Sequence, residues 1–352
     1  MKNFTKLKIF RFFLYIFAII GFIFFIVFLA MQFSLLNVRG SSSERNSYFN
    51  IQKNINKNDN SGSLKIICQI NNLSKYAPST SINIYKTLIQ GGDTVLLNRM
   101  LYIASQRFLN NNNFIKNLNN CENVTQAEIN LPISSYVWAD TDEWNLMKEV
   151  FTRDQDIINK AAHDANVSPR IILSGVIGEQ FRFFTSRRES FKGYFEPLKI
   201  LASLSKVSFG IAGIKPKTVR LIEEHLKDIN SPFYLGKNME NIVDHPDDAN
   251  LEADRLNRIT DVQNPYYSYL YVGLYMKQIE AQWARSGYDI SKSPGILSTL
   301  YNLGFYYSVP KYNPQIGGAE ININDVIYTF GDLGYEFYYS GELVDIFPLV
   351  SN

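Results

Sequence analysis

A long apolar run near the N-terminus places the strongest constraint on how this chain can fold. Residues 12–36 are apolar except for Gly21, Gln32 and Ser34. A helix rises about 1.5 Å per residue, so a run of this length can cross a hydrocarbon core of about 30 Å. The sequence therefore predicts a transmembrane anchor over residues 12–36, with residues 37–352 together on one side of the bilayer.

The charges beside this run predict its orientation. Lys2, Lys6, Lys8 and Arg11 precede it, and no acidic residue occurs before Ser41. Cations next to a span favour the cytoplasm, so residues 1–11 are predicted to be a cytoplasmic N-terminus. The chain would then be a single-pass protein of the cytoplasmic (inner) membrane, with its C-terminal domain extracytoplasmic, or periplasmic. A cleaved signal peptide is the alternative, but its apolar core usually spans only about 7–15 residues.

Charge and histidine placement argue against several classes of site. The formal net charge is only +2, and no basic stripe with interleaved aromatic residues occurs, so we expect no nucleic-acid partner. His163, His225 and His245 are scattered singly and are interpreted as surface or capping residues. We therefore expect no metal and no cofactor.

The chain contains two cysteines, Cys68 and Cys121, and both follow the predicted anchor. Outside the cytoplasm, such a pair can be oxidised to a disulfide. Two free buried thiols are the alternative, and the sequence does not decide between them.

Beyond the anchor, composition divides the chain into three parts. Residues 37–63 are rich in Ser, Asn and Lys and are interpreted as a flexible linker. Residues 64–131 form an accessory segment of unknown role, in which residues 64–70 resemble a short strand. Residues 132–352 form the main domain, whose apolar residues recur with helical spacing and whose helices are marked by Ser168-Pro169, Lys215-Pro216 and Ser293-Pro294. The predicted fold class is mainly α.

One carboxylate falls on the apolar stripe of a predicted helix. In the fragment Ile177-Gly178-Glu179-Gln180, Glu179 lies seven residues after Ile172 and three after Val176. A carboxyl group placed there loses solvation, which raises its pKa and lets it hold a proton near neutral pH. Such a group can protonate a glycosidic oxygen. The alternative is a structural Glu, neutralised by a neighbour such as Arg182 or Arg187.

A second fragment supplies backbone groups. It contains Ser208, Gly210, Ile211 and Gly213, followed by Lys215 just before a helix. The glycines permit positive φ and close approach of a ligand to the main chain. Free N–H and C=O groups in this turn can bind the amide and hydroxyl groups of an N-acetylated sugar, and Lys215 can meet a carboxylate. A plain connection between a loop and a helix is the alternative.

The third fragment, Tyr301-Asn302-Leu303-Gly304, ends a predicted helix. Asn302 can donate and accept hydrogen bonds at once, which suits a sugar. Tyr301 can stack on a ring or bond to the catalytic carboxyl. Asn and Gly also end helices routinely, so this fragment is weak when taken alone.

In this order, the three fragments resemble the catalytic domain of lytic transglycosylases and the wider lysozyme-like superfamily. The resemblance covers roughly residues 140–307. It implies a lysozyme-like α-helical domain that cuts peptidoglycan between N-acetylmuramic acid and N-acetylglucosamine. It also implies that Glu179 acts first as the acid and then as the base. The product would be a 1,6-anhydro sugar in a lytic transglycosylase and a reducing sugar in a related muramidase, and the sequence does not decide between them. Gln180, Ser208, Gly210, Ile211, Gly213, Lys215, Tyr301 and Asn302 would bind substrate.

The sequence departs from the family pattern at two of these positions. Gln180 stands where the family has Ser, and Gly213 stands where it has Gln, which removes a side-chain contact. The gap from Glu179 to Gly210 is also longer than in compact family members. Gly213 and this insertion support the main alternative, a catalytically inactive lysozyme-like domain that binds peptidoglycan or a partner protein. A secretion component or effector is a third, weaker possibility. The expected partners are peptidoglycan strands, the membrane through the N-terminal helix, and wall-remodelling or secretion machinery.

Overall fold

The computed structural model describes residues 61–120, 134–185, 210–246 and 250–350. The predicted cytoplasmic segment, the anchor and nearly all of the linker lie outside these ranges, as do Ser208 and Cys121. In the part of the chain that is described, no helix combines the length and apolarity needed to span a bilayer. The anchor therefore stays a prediction.

The fold is mainly α-helical, as predicted. The described residues form twelve α-helices and one β-hairpin. The helices of the accessory segment are α1 (Ser61–Leu73), α2 (Pro78–Ile89), α3 (Thr94–Ser105) and α4 (Asn112–Asn120). The remaining helices are α5 (Asp142–Arg153), α6 (Gln155–Ala165), α7 (Pro169–Thr185), α8 (Pro216–Lys227), α9 (Leu251–Thr260), α10 (Tyr266–Arg285), α11 (Pro294–Leu303) and α12 (Phe330–Ser340).

Helix α7 runs through the centre of the main domain. Residues 171–179 of this helix are all buried, because α7 packs against α6, α10, α11 and α12. A helix that is apolar on every side is stable only inside such a layer. Gly178 lets α12 approach closely, since a β-carbon there would lie 2.5 Å from the ring of Phe330. This packing places Glu179 at the end of the buried stretch.

The first turn of α7 is tied to the C-terminal end of the fold by Arg170. Its guanidinium is fully buried and donates to the carbonyl oxygens of Phe337, Tyr338, Glu342 and Phe347, at 2.8–3.0 Å. Three of these carbonyls lie at or just beyond the end of α12, where carbonyls have no partner within the helix. Burial lowers the pKa of Arg170 to about 10.

The accessory segment packs onto the main domain. Arg99 on α3 donates to the hydroxyl of Tyr339 at 2.7 Å, and Asn83 on α2 donates to the buried carboxylate of Glu342 at 3.0 Å. The expected strand over residues 64–70 is wrong, because this stretch lies within α1. Its buried residues Ile66, Ile70 and Leu73 recur at intervals of three and four, so a helix places all three on the same buried face.

The hairpin lies directly before α12. Strands β1 (Glu320–Ile323) and β2 (Val326–Thr329) are antiparallel, with Glu320 opposite Thr329. Along β1, Glu320 and Asn322 are exposed and Ile321 and Ile323 are buried. This alternation covers only four residues, which is too short to be recognised as a strand from the sequence.

Candidate active site

Glu179 is buried near the C-terminal end of α7. Only 8% of its surface is exposed, and its Oε2 accepts a hydrogen bond from Nη2 of Arg182, on the next turn of the same helix. The guanidinium carbon of Arg182 also lies 5.6 Å from the centre of the Phe330 ring. The predicted neighbour Arg182 therefore neutralises a carboxylate that water reaches poorly.

A glycine turn closes over the other side of this carboxylate. Residues 210–213 form a turn in which the N–H of Gly213 donates to the carbonyl of Gly210 at 3.3 Å. Both glycines have positive φ, +68° and +61°, as their predicted role requires. A β-carbon on Gly213 would lie 2.4 Å from Oε2 of Glu179. Only glycine lets this backbone lie against the carboxylate.

Two predicted site residues hold the turn in place through its carbonyl groups. Nε2 of Gln180 donates to the carbonyl of Ile211 at 2.5 Å. The hydroxyl of Tyr301 donates to the carbonyl of Ala212, also at 2.5 Å. Burial, followed by the negative charge of Glu179, raises the pKa of Tyr301 well above its usual value. Tyr301 is therefore a protonated donor close to the candidate acid.

Asn302 connects α11 to the hairpin. Its Oδ1 accepts a hydrogen bond from the backbone N–H of Ala319 at 2.8 Å, immediately before β1. Strand β1 also packs against α7. The hairpin is thus fixed beside the helix that carries Glu179, and Asn302 itself is half-buried.

The three fragments predicted from the sequence therefore converge on one site. The structure brings together Glu179, Gln180, the glycine turn and Tyr301, with Asn302 alongside. Lys215 is half-buried, precedes α8 as its N-cap residue, and lies two positions beyond Gly213. Tyr301 is only 6% exposed and sits 5.3 Å from Tyr275 between ring centres, so its ring is packed inside the protein. Substrate binding by these residues stays a prediction.

Two residues that contribute to the site are not signalled by the sequence. Ala319 provides a backbone N–H to Asn302, and Phe330 provides a ring beneath Arg182. Neither residue type signals a site, because any residue except proline has an N–H and a buried Phe usually fills a core. The sequence does show a sign of unusual backbone just before Ala319, the pair Gly317-Gly318, and Gly318 has a φ of +102°.

The histidines lie in three different environments. His163 is exposed and contacts Asp164, whereas His225 packs against the rings of Phe233 and Phe305. His245 bridges two carboxylates, with Nε2 3.0 Å from Glu223 and Nδ1 2.5 Å from Asp254. His225, in the last turn of α8, and His245 are both only partly exposed, whereas His163 lies at the surface as expected.

The donor sets in the described ranges do not include a metal centre. No group of three or more His, Cys, Asp and Glu side chains there is arranged to hold a metal ion. Cys68 is disulfide-bonded, which favours the oxidised alternative; Cys121, the only other cysteine in the sequence, lies outside the described residues.

Comparison with known proteins provides no independent assignment. No protein-family model, no curated protein and no solved structure matches this chain. Functional inference therefore depends on the sequence fragments and on the geometry around Glu179.

Proposed function

We propose that this protein is a membrane-anchored, peptidoglycan-cleaving glycosidase of the lytic transglycosylase type, with a lysozyme-like domain. The observation that supports this function best is the convergence of the three fragments on one buried carboxylate. Glu179, Gly213 and Tyr301 are far apart in sequence, yet all three meet in the folded chain. The resemblance was drawn from the order of these fragments along the chain, and the folded chain adds the contacts between them.

In the proposed reaction, Glu179 works alone as acid and then base. Protonated Glu179 gives its proton to the glycosidic oxygen, the bond from the anomeric carbon to that oxygen breaks, and the leaving sugar departs as an alcohol. The 2-acetamido group of the muramyl sugar assists at the anomeric carbon. The 6-hydroxyl of the same sugar then attacks that carbon, and Glu179 takes the hydroxyl proton. The ring closes as a 1,6-anhydro sugar and Glu179 regains its proton.

The surroundings of Glu179 suit this chemistry in two ways. Burial keeps bulk water away from the carboxylate, which favours attack by the sugar's own hydroxyl over hydrolysis. The turn at residues 210–213 brings the backbone N–H groups of Ile211 and Ala212 to the same place, and these could donate to the carbonyl of an N-acetyl group without a long side chain. Membrane anchoring through residues 12–36 would keep the cleavage close to the bilayer.

The test is a comparison of full-length wild type with Glu179→Gln on purified peptidoglycan, in detergent. Released fragments are identified by mass spectrometry. We expect anhydro-muropeptides from wild type and none from Glu179→Gln, whose side chain is nearly isosteric. Glu149→Gln, on the exposed face of α5, is the matched control and should cleave like wild type. Wild-type-like cleavage by Glu179→Gln would remove Glu179 from the role.

A second candidate function is a non-catalytic domain that binds wall glycan. The pairing of Glu179 with Arg182 favours it, because this contact occupies a carboxylate oxygen and stabilises the unprotonated form. This function would be supported if folded wild type stays bound to insoluble peptidoglycan and releases no soluble product.

A further inference from the structure

Arg182 has a binding capacity that its contact with Glu179 does not use. One terminal nitrogen, Nη2, bonds to Glu179, while the Nε hydrogen is buried and has no hydrogen-bond partner in the described part of the chain. The Arg182 side chain is 16% exposed, against 8% for the Glu179 side chain, so it lies nearer the surface of the site. A guanidinium presents donors in a planar fork that fits a carboxylate through two bonds.

This arrangement sets two requirements against each other. A general acid must carry a proton before it can give one, but a guanidinium at hydrogen-bond distance stabilises the ionised carboxylate. Both requirements are met if a carboxylate of the substrate replaces Glu179 as the partner of the Arg182 guanidinium. Losing this counter-charge shifts a buried carboxyl group such as Glu179 toward its neutral form.

We propose that Arg182 selects glycans that carry a free carboxylate next to the scissile bond, and that this carboxylate displaces Glu179 from the guanidinium. Glu179 then takes a proton from solvent and becomes the acid of the cleavage step. When the product leaves, Arg182 pairs again with Glu179 and the proton returns to solvent. This inference rests on the proposed glycosidase function and predicts a preference for anionic, peptide-free strands over strands whose lactyl carboxyl carries a peptide.

The first test measures initial cleavage rates on two substrates that differ in one group. Peptide-free peptidoglycan strands carry a free lactyl carboxylate on each muramic acid, and carbodiimide coupling to ammonia converts it into a neutral amide of the same size. We expect full-length wild type to cleave the carboxylate form roughly ten- to a hundredfold faster, as one charge-assisted fork implies. Equal rates on both forms would overturn the proposal.

Variants then test whether Arg182 causes the preference for carboxylate strands over amidated strands. Arg182→Met should bring the ratio of the two rates close to one, whereas Arg182→Lys keeps the charge without the fork and should leave an intermediate ratio. Arg220→Met is the matched control, because this arginine is half exposed on α8 and pairs with Glu224 and Glu252. An unchanged ratio in folded Arg182→Met would also overturn the proposal.

A binding measurement separates this inference from the proposed function. Glu179→Gln removes the charge that now competes for Arg182, so it should bind the carboxylate strands more tightly than wild type by about tenfold. Its affinity for the amidated strands should not change. If wild type cleaves neither substrate, the glycosidase proposal fails, while this difference in affinity still supports the role of Arg182. Equal affinity of Glu179→Gln for both strands would overturn that role.

Discussion

Gly213 lies so close to Glu179 that a β-carbon at position 213 would come within 2.4 Å of Oε2 and 2.6 Å of Cδ. In the resemblance to lytic transglycosylases, this glycine marks the loss of a glutamine. In the folded chain it has a role of its own, because its missing side chain is what allows the turn to close over the carboxylate.

Gly213→Ala should therefore damage both the fold and the site. The new methyl group meets the Glu179 carboxylate, and alanine is strained at a φ of +61°. We expect a loss of about 1–3 kcal/mol in the free energy of unfolding, measured by urea denaturation. In the proposed glycosidase, the rate of cleavage should fall by more than this loss of stability explains, because the carboxylate must move.

Gly287→Ala is the control for that substitution. Gly287 has a φ of +86°, but no atom lies within 4 Å of its added β-carbon, so only the backbone strain is shared. The free energy of unfolding of Gly287→Ala should fall by about 1 kcal/mol, and its rate of cleavage should equal that of wild type. Equal losses of cleavage in the two variants would argue against a specific contact between Gly213 and Glu179.

Tyr301→Phe should loosen the turn without leaving a cavity. The substitution removes the donor to Ala212 and leaves a buried carbonyl unpaired, at an expected cost of about 1–2 kcal/mol. Amide hydrogen exchange in residues 210–213 should become roughly 5–30 times faster, the factor that a loss of about 1–2 kcal/mol implies. Tyr306→Phe, at a tyrosine that is 86% exposed, should change neither property. Unaltered exchange in Tyr301→Phe would show that its hydroxyl does not hold the turn.

Arg170→Met should be the most destabilising of these substitutions. It removes donors to four carbonyl oxygens around the end of α12 and leaves them in a dry interior. We expect a loss of ~3 kcal/mol in the free energy of unfolding. Arg220→Met, at an exposed position, should lose less than about 0.5 kcal/mol. A small loss in Arg170→Met would mean that water replaces the guanidinium.

Asp164 should make stability depend on acidity. A hydrogen bond from Tyr266, together with His163 and Lys160, lowers the pKa of Asp164 from 3.8 to about 2. Because the folded pKa is the lower one, this stabilisation is present above pH 3.8 and is lost as the pH falls through about 2.

Asp164→Asn tests this dependence by thermal unfolding between pH 6 and pH 2. The variant should be less stable than wild type by ~1 kcal/mol at pH 6, since the partly exposed carboxylate is screened by solvent. The difference should disappear near pH 2. Tyr266→Phe should shrink the same pH-dependent difference, because its hydroxyl bonds to Asp164 at 2.6 Å. A pH-independent difference would contradict this assignment.

Several features of the fold could be predicted because they depend on neighbours in the chain. Pro169, Pro216 and Pro294 begin helices as expected, since proline at the first turn loses no helical hydrogen bond. The burial of Glu179 and its pairing with Arg182 were also within reach, because residues three apart meet on a helix. The prediction of a strand over residues 64–70 was wrong, because the spacing of a short apolar run fits a strand and a helix equally well.

The remaining features depend on contacts between residues distant in the chain. The sequence predicted a helical protein with a carboxylate on a buried face and a glycine turn elsewhere. It contained no information on their distance, because no local period connects Glu179 to Gly213 or Tyr301 to Ala212. Packing of α7 against α11 and α12 brought these groups together, and the same packing left Gln180, Tyr301 and Asn302 bonded to backbone groups. The sequence determines the chemistry of each side chain, but the packing of the helices determines which partner each group contacts.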